Sequence, residues 1–251
     1  MKKIGIDPGH GGVDPGAAGR FLKEKDVNLA IALKLRDILA RSGFQTVLSR
    51  DKDQELVPRN PQNSKSWSAQ ELRARADKFN RAGVDLALSI HINSHTNSMA
   101  NYLASFVLKT GFQAEKAARL LQKELLAATG FPDGGIRSAN FQILRETKMP
   151  AVLVEIGFIS HPPTEEWLSL EENLQKAAQA LGKGIVAYFD QPLSREIFII
   201  LDGKRLNLDP APYLHEGRVF VPIRPLGEAL GLSVHWDPEE ETVHLWSNRR
   251  A

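Results

Sequence analysis

The first 190 residues alternate short apolar segments with amphipathic ones, and this alternation limits the fold more than any other feature of the chain. Apolar segments that alternate with helices are typical of a largely parallel β-sheet. The sequence therefore predicts an α/β fold, with a mostly parallel twisted sheet that carries helices on both faces. The predicted strands are Lys3–Asp7, Phe44–Arg50, Leu86–His91, Tyr102–Lys109, Phe141–Arg145 and Ala151–Gly157.

Helices are predicted between these strands wherever apolar residues recur at helical spacing. Two of them should cover Ala69–Ala82 and Ala114–Ala128. The segment Asp51–Ser68 is polar and has no periodicity, so we expect a long surface loop there. The first helix is marked by Val27, Ile31, Leu35 and Ile38, and the last by Leu174, Ala177, Ala178, Leu181, Ile185 and Tyr188.

Composition changes at Asp190–Ser194, which predicts two domains, residues 1–191 and 194–251. The second is predicted to be a small α+β module of hairpins and one short helix. Asp202-Gly203 suits the tight turn of its first hairpin. Its predicted elements are strands Glu196–Leu201, Lys204–Leu208 and Gly217–Pro222, a helix at Pro225–Leu230, and a final hairpin of Ser233–Trp236 with Thr242–Trp246.

The composition excludes several classes of site and partner. The chain has no cysteine, so imidazole and carboxylate are the only strong metal ligands available. A net charge of +2 gives no reason to expect a nucleic-acid partner. No apolar segment approaches the roughly 18 residues that span a bilayer, so we expect no membrane insertion. Met1-Lys2-Lys3 leads into a strand without the apolar region of a signal peptide.

Four residues carry most of the functional information: His10, Glu24, His91 and Glu155. His10 and His91 follow or end predicted strands, and the carboxyl ends of central strands meet at one edge of an open α/β sheet. A catalytic zinc ion takes three protein ligands and keeps one position open. Two imidazoles and one carboxylate around zinc, with a further glutamate acting on water, would form a metallohydrolase.

Each of these residues also has an interpretation without a metal. His10 lies among glycines, as in a simple turn or a phosphate loop, but the Lys-Ser/Thr of a P-loop is missing. Glu24 would be favoured near a helix start by the helix dipole, and His91 could be a core histidine. Glu155 lies in an apolar strand, so its carboxylate must meet a cation or a strong donor, or be held protonated. An ion pair with Arg145 and a nearby metal-bound water are the two specific partners that we expect.

The motifs D-P-G-H-G-G-x-D-P-G, K-E-K-D-x-N-L, S-I-H-x-N and P-A-V-L-V-E-I-G-F-I-S resemble, in order and spacing, those of the zinc-dependent N-acetylmuramoyl-L-alanine amidases of the Amidase_3 type. The resemblance covers residues 3–190. It implies that His10, Glu24 and His91 bind zinc and that Glu155 is catalytic. It also implies hydrolysis of the peptidoglycan amide bond between the lactyl group of N-acetylmuramic acid and L-alanine.

Other residues are expected to support this site. Arg75 and Asn80 match a further family segment, for which we expect a structural role. The ligand imidazoles need outer partners to fix their tautomers, and Asp7 and Asn93 are the candidates nearest in sequence.

The chain departs from the family at two positions. Ser94 stands where the family usually has alanine, and His161 where it usually has asparagine. His95 is an additional imidazole, which we expect on an exposed loop.

The tail resembles the copper amine oxidase N-terminal domain through L-D-G-K-R-L-N-L, G-R-V-F-V-P-I-R-P-L-G-E-A-L-G-L-S-V-H-W-D and T-V-H-L-W. It contains His215, predicted in a turn, and His235 and His244, predicted on strands. Their spacing does not require a metal, so we expect no copper site. A wall-binding or spacer role is the expected function of this module.

The resemblance leaves two alternatives: a zinc peptidase that cuts elsewhere on the stem peptide, and a non-catalytic wall-binding protein. The expected partner is peptidoglycan, at the cell wall or outside the cell, and we expect a monomer. Because the chain shows no signal peptide, it fits a lysin released by cell lysis or a protein trimmed of its leader.

Overall fold

The computed structural model describes residues 1–59, 66–190, 198–208, 212–215 and 218–247. The chain divides into two compact units, Met1–Tyr188 and Phe189–Ala251.

The first unit is built on a six-stranded sheet in which most neighbours are parallel, as predicted. Its strands are β1 (Lys3–Pro8), β2 (Gln45–Leu48), β3 (Leu86–Asn93), β4 (Leu103–Val107), β5 (Asp133–Ser138) and β6 (Ala151–Phe158). Their order across the sheet is β2-β1-β3-β6-β4-β5. Only β4 and β6 pair in an antiparallel manner. The carboxyl ends of β1, β3 and β6 therefore lie side by side.

Helices flank this sheet: α1 (Glu24–Arg41), α2 (Trp67–Ala82), α3 (Gln113–Thr129), α4 (Gln142–Glu146), α5 (Pro162–Ser169) and α6 (Glu171–Asp190). α1 forms where Val27, Ile31 and Leu35 recur at helical spacing, and all three are buried. α2 ends at Ala82, and the φ of 59° at the following Gly83 suits a left-handed helix cap. Within the described residues, no helix combines the length and apolarity that a membrane crossing requires.

The predicted strand Phe141–Arg145 is wrong, because this segment forms the short helix α4. Its apolar residues Ile143 and Leu144 are adjacent and both buried, whereas a strand would point them to opposite faces. The N–H of Arg145 donates to the carbonyl of Phe141, which closes one helical turn. The sheet strand beside β4 comes instead from Asp133–Ser138, a segment whose two glycines gave no strand signal.

The described residues of the second unit form three hairpins and one helix. The hairpins pair β7 (Ile199–Leu201) with β8 (Lys204–Leu206), β9 (Tyr213–His215) with β10 (Arg218–Phe220), and β11 (Leu232–Asp237) with β12 (Thr242–Ser247), and the helix is α7 (Ile223–Ala229). The prediction that His215 lies in a turn is wrong, since it pairs with Arg218. Predicted strand residues 196–197 and 217 lie outside the described residues.

Candidate metal centre

Three of the predicted site residues meet at the carboxyl edge of the sheet. His10 follows β1, His91 lies near the end of β3, and Glu24 is the first residue of α1. His10 Nε2 lies 3.2 Å from Glu24 Oε2, and His91 Nδ1 lies 2.9 Å from Glu24 Oε1. One nitrogen or oxygen of each side chain lies within 4.8 Å of the others, which is a group that could hold a metal ion.

Glycines make room for these ligands. A Cβ on Gly9 would collide with the imidazole of His91, and one on Gly16 would lie 2.6 Å from Glu24 Oε2. His10 itself has a φ of 62°, a left-handed conformation that non-glycine residues adopt at a cost. The surrounding structure must therefore hold this turn in place.

Glu24 is a buried carboxylate surrounded by donors. Its oxygens accept the N–H groups of Ala17 at 2.8 Å and Ile92 at 3.0 Å, besides contacting both imidazoles. Burial alone would raise the pKa of Glu24, but hydrogen bonds with His10 and His91 outweigh burial and hold it well below its usual range. Glu24 is therefore deprotonated, as a carboxylate must be to bind a metal ion.

Asp14 is the outer partner of His10. Its Oδ2 lies 2.7 Å from His10 Nδ1, which leaves Nε2 directed at Glu24. Burial works against protonation of His10, yet the hydrogen bonds with Asp14 and Glu24 raise its pKa to about 9. The two partners suggested by the sequence bind elsewhere: Asp7 takes hydrogen bonds from Ser49, Ser89 and Arg75, and Asn93 Oδ1 accepts the N–H of Ser94.

Glu155 lies beside the three candidate ligands. It pairs with His91 in the register of β3 and β6, so both side chains project on the same face of the sheet. Its Oε2 is buried and has no hydrogen-bond partner among the described residues. Burial raises the pKa of Glu155 to about 7; the charge of Glu24 adds to this effect and the two imidazoles oppose it.

The alternative ion pair between Glu155 and Arg145 is not formed. Arg145 donates instead to Asn140 and lies 3.7 Å from Glu146. Among the described residues, no protein cation bonds to the partly buried Glu155, whose buried Oε2 is costly to keep charged unless another positive group is present.

The residues of this centre fit a zinc ion. Two imidazoles and a carboxylate are a ligand set used by catalytic zinc, which leaves a further position open. A divalent cation at His10, Glu24 and His91 would also supply the positive charge that Glu155 lacks. The donor chemistry and the unpartnered Glu155 oxygen are therefore both consistent with a divalent cation at this centre.

Supporting residues that the sequence did not reveal hold the loops of the site. Glu165 of α5 accepts the N–H groups of Phe21 at 2.8 Å and Leu22 at 3.0 Å, which fixes the segment leading to Glu24. Arg50 is 1% exposed and bonds to backbone carbonyls around His10. The only sequence signal for either is a charged residue within or beside an apolar segment.

The remaining histidines of the first unit, His95 and His161, make contacts with residues close to them in sequence. His95 is exposed, and its Nδ1 accepts the N–H of Asn97. His161 Nδ1 lies 2.9 Å from Thr164 Oγ1 at the start of α5.

Asn80 has the structural role that the sequence predicts. It joins α2 to the segment before β6, because its side-chain amide bonds to the backbone of Glu146 and Lys148.

The second unit brings two of its histidines together. His235 and His244 are paired across β11 and β12, and His244 stacks on Trp246 with ring centroids 5.8 Å apart. Asp237, Glu240 and His244 also place donor atoms within 4.8 Å of one another on an open hairpin. Asp237 Oδ1 already accepts two backbone N–H groups of its turn. The expected absence of a copper site stays a prediction.

Each of the two units matches a known protein family. Residues 4–187 match the family Amidase_3, described as N-acetylmuramoyl-L-alanine amidase, and residues 200–251 match the copper amine oxidase N-terminal domain. The first match contains all four predicted site residues. The germination-specific N-acetylmuramoyl-L-alanine amidase of Bacillus subtilis is 32% identical over 191 residues, which are 76% of this chain and 81% of that protein.

Solved structures show the same likeness. The catalytic domain of CwlV, an N-acetylmuramoyl-L-alanine amidase from Bacillus (Paenibacillus) polymyxa var. colistinus, is similar with a TM-score of 0.68 and 35% identity over 76% of this chain and 100% of that chain. The CwlD amidase of Clostridioides difficile, solved in complex with the GerS lipoprotein, has a TM-score of 0.72 and 29% identity over 76% of this chain and 100% of that chain.

Proposed function

The chain belongs to the N-acetylmuramoyl-L-alanine amidase family, and we propose that residues 1–191 form a zinc-dependent catalytic domain of this kind. The substrate is peptidoglycan, and the bond cleaved joins the lactyl group of N-acetylmuramic acid to L-alanine of the stem peptide. The observation that carries the zinc assignment is the cluster of His10, Glu24 and His91 beside the unpartnered carboxylate of Glu155.

His10, Glu24 and His91 would hold the ion. When bound, zinc supplies an electrophile for the scissile carbonyl and acidifies a water molecule. Asp14 keeps His10 Nδ1 engaged, so Nε2 is the nitrogen left to act as a ligand. The backbone N–H groups of Ala17 and Ile92 orient the two carboxylate oxygens of Glu24.

Glu155 would move the proton during hydrolysis. It accepts a proton from the attacking water and delivers it to the leaving amine of L-alanine. A pKa near 7 suits both steps, because a group that titrates near the working pH both accepts and returns a proton. The positive charge of a bound ion would lower this pKa and favour the carboxylate that begins the cycle.

The second domain, residues 194–251, would attach the enzyme to the wall or act as a spacer.

The names of related proteins support an activity at the cell wall. One of them is the probable cell wall amidase LytH of Staphylococcus saprophyticus, which is 32% identical over 195 residues. We therefore place the activity at the cell wall.

A gel containing cell walls tests this function directly. The purified chain should clear the gel, a chelator should abolish the clearing, and added zinc should restore it. Mass analysis of digested muropeptides should show new N-terminal L-alanine and free lactyl carboxylate. Release of other stem-peptide fragments would indicate the alternative zinc peptidase, and clearing that fails even with zinc would indicate a wall-binding protein.

A further inference from the structure

Arg50 connects the two segments that carry His10 and Glu24. It follows β2 by two residues and is fully buried. Its Nε donates to the carbonyls of Pro8 at 3.0 Å and His10 at 2.6 Å, and its Nη2 donates to those of Gly9 at 3.0 Å and Lys25 at 2.8 Å. A fifth bond, from Nη1 to the carbonyl of Lys52 at 3.2 Å, anchors the guanidinium to its own loop.

These carbonyls belong to the backbone that positions the ligands. Three of them form the turn that includes His10, whose φ of 62° is held against its intrinsic preference. The fourth belongs to Lys25, the residue next to Glu24 in the first turn of α1. A single planar cation therefore ties the backbone of one candidate ligand to the backbone of another.

Arg75 gives a comparison within the same cluster. It also donates to the carbonyls of Pro8 at 2.9 Å and His10 at 2.7 Å. Its guanidinium is held by ion pairs with Asp7 and Glu71, both at 2.9 Å. Among the described residues, the hydrogen bonds of Arg75 reach the His10 turn but not α1, so of the two arginines only Arg50 also bonds to α1.

Lysine cannot reproduce these bonds. Arginine presents five N–H donors in a rigid planar fork, whereas lysine has three donors on one flexible ammonium. A lysine at position 50 would keep the charge and most of the apolar stem. It would leave some of the backbone carbonyls that accept from Arg50 without a hydrogen-bond donor.

We propose that Arg50 is a positioning residue that fixes the separation between His10 and Glu24, and thereby sets the affinity of the site for its metal ion. This inference rests on the proposed function of the site as a zinc centre.

The test compares the zinc dissociation constants of wild type, R50K and L125A, measured by competition with a chromogenic chelator. Leu125 is buried in α3, which packs on β4, β5 and β6, so L125A lowers the melting temperature without touching the ligand loops. R50K should bind zinc about 10–100-fold more weakly than wild type, the range found when groups that orient metal ligands are changed. L125A should bind zinc like wild type, and its melting temperature serves as the control for stability alone.

Each outcome has a distinct meaning. If wild type binds no zinc, the proposed function fails rather than the role of Arg50. If wild type binds zinc and R50K matches it within twofold, or if L125A loses as much affinity as R50K, the positioning role is overturned. If R50K does not fold, R50Q is measured in its place, and failure of both to fold even with zinc would overturn the proposal in favour of a purely structural role.

Discussion

Glu155 lies directly across from His91 in the register between β3 and β6. The two residues belong to neighbouring central strands, so their relative position is fixed by backbone hydrogen bonds rather than by a loop. A candidate proton acceptor is thereby held next to a candidate metal ligand by the pairing of two central strands.

Replacing the carboxylate of Glu155 should remove activity without removing the metal. E155Q keeps the size of the side chain but cannot accept a proton, so hydrolysis of muropeptides should fall by about 10²–10⁴-fold or more. Zinc content, measured by elemental analysis, should stay at the wild-type value. The exposed Glu166 provides the control, because E166Q should keep full activity. Turnover of E155Q near that of wild type would remove Glu155 from the mechanism.

Removing either candidate imidazole ligand should remove both metal and activity. H10A and H91A each lose a ligand, so zinc affinity should fall by more than the ~10–100-fold typical of outer-shell changes. Dialysis followed by metal analysis would measure this loss. The exposed His95 gives a matched control, since H95A should retain zinc. Full zinc occupancy in H10A or H91A would contradict the ligand assignment.

Asp14 should matter for metal affinity rather than for chemistry. In D14N the amide replaces the anion that lies 2.7 Å from His10 Nδ1, so orientation of the imidazole weakens. We expect zinc affinity to fall about 10–100-fold and activity to return when zinc is in excess. D37N on the surface of α1 is the control for loss of one carboxylate. A D14N protein whose activity stays low at saturating zinc would argue for a direct catalytic role.

The metal-free protein should lose part of its stability as pH rises, because of Glu155. The pKa of this group is about 7 in the folded protein, against 4.5 for a glutamate side chain that is free in water. Its protonated form therefore contributes stability that is fully present below pH 4.5 and is lost as pH rises through about 7.

Urea unfolding with chelator present can measure this effect at pH 4 to 8. The free energy of unfolding of wild type relative to E155Q should decrease over this interval by up to about 3 kcal/mol. Comparison with E155Q cancels the titration of groups common to both proteins. A difference that is constant with pH would show that the folded protein does not hold Glu155 in its protonated form.

Deletion of the second domain should separate catalysis from wall attachment. A chain that ends at Leu193 keeps all four site residues and should cleave small muropeptides at the wild-type rate. Its activity on intact cell walls should be weaker, as measured by release of soluble fragments. Equal loss on both substrates would show instead that the tail stabilises the catalytic domain.

The sequence predicted the parts of the fold that local periodicity controls. The apolar segments that became β1, β3 and β6 and the helical spacing of α1, α2, α3 and α6 were all readable. The segment Phe141–Arg145 was predicted as a strand because it is one of the short apolar segments that alternate with amphipathic ones. Packing decides otherwise: Phe141 lies against Phe106 with ring centroids 5.3 Å apart, while Ile143 and Leu144 are buried together.

The amino-acid sequence by itself determined the chemistry available to this protein: without cysteine, its strong metal ligands had to be histidine and carboxylate, and four of them lay in recognisable motifs. Only the tertiary structure decided which groups meet. The partnership of Asp14 with His10 and the span of Arg50 between Pro8 and Lys25 depend on how loops fold over the sheet edge. Such contacts join residues whose spacing carries no periodic signal, and so no reading of the chain alone reveals them.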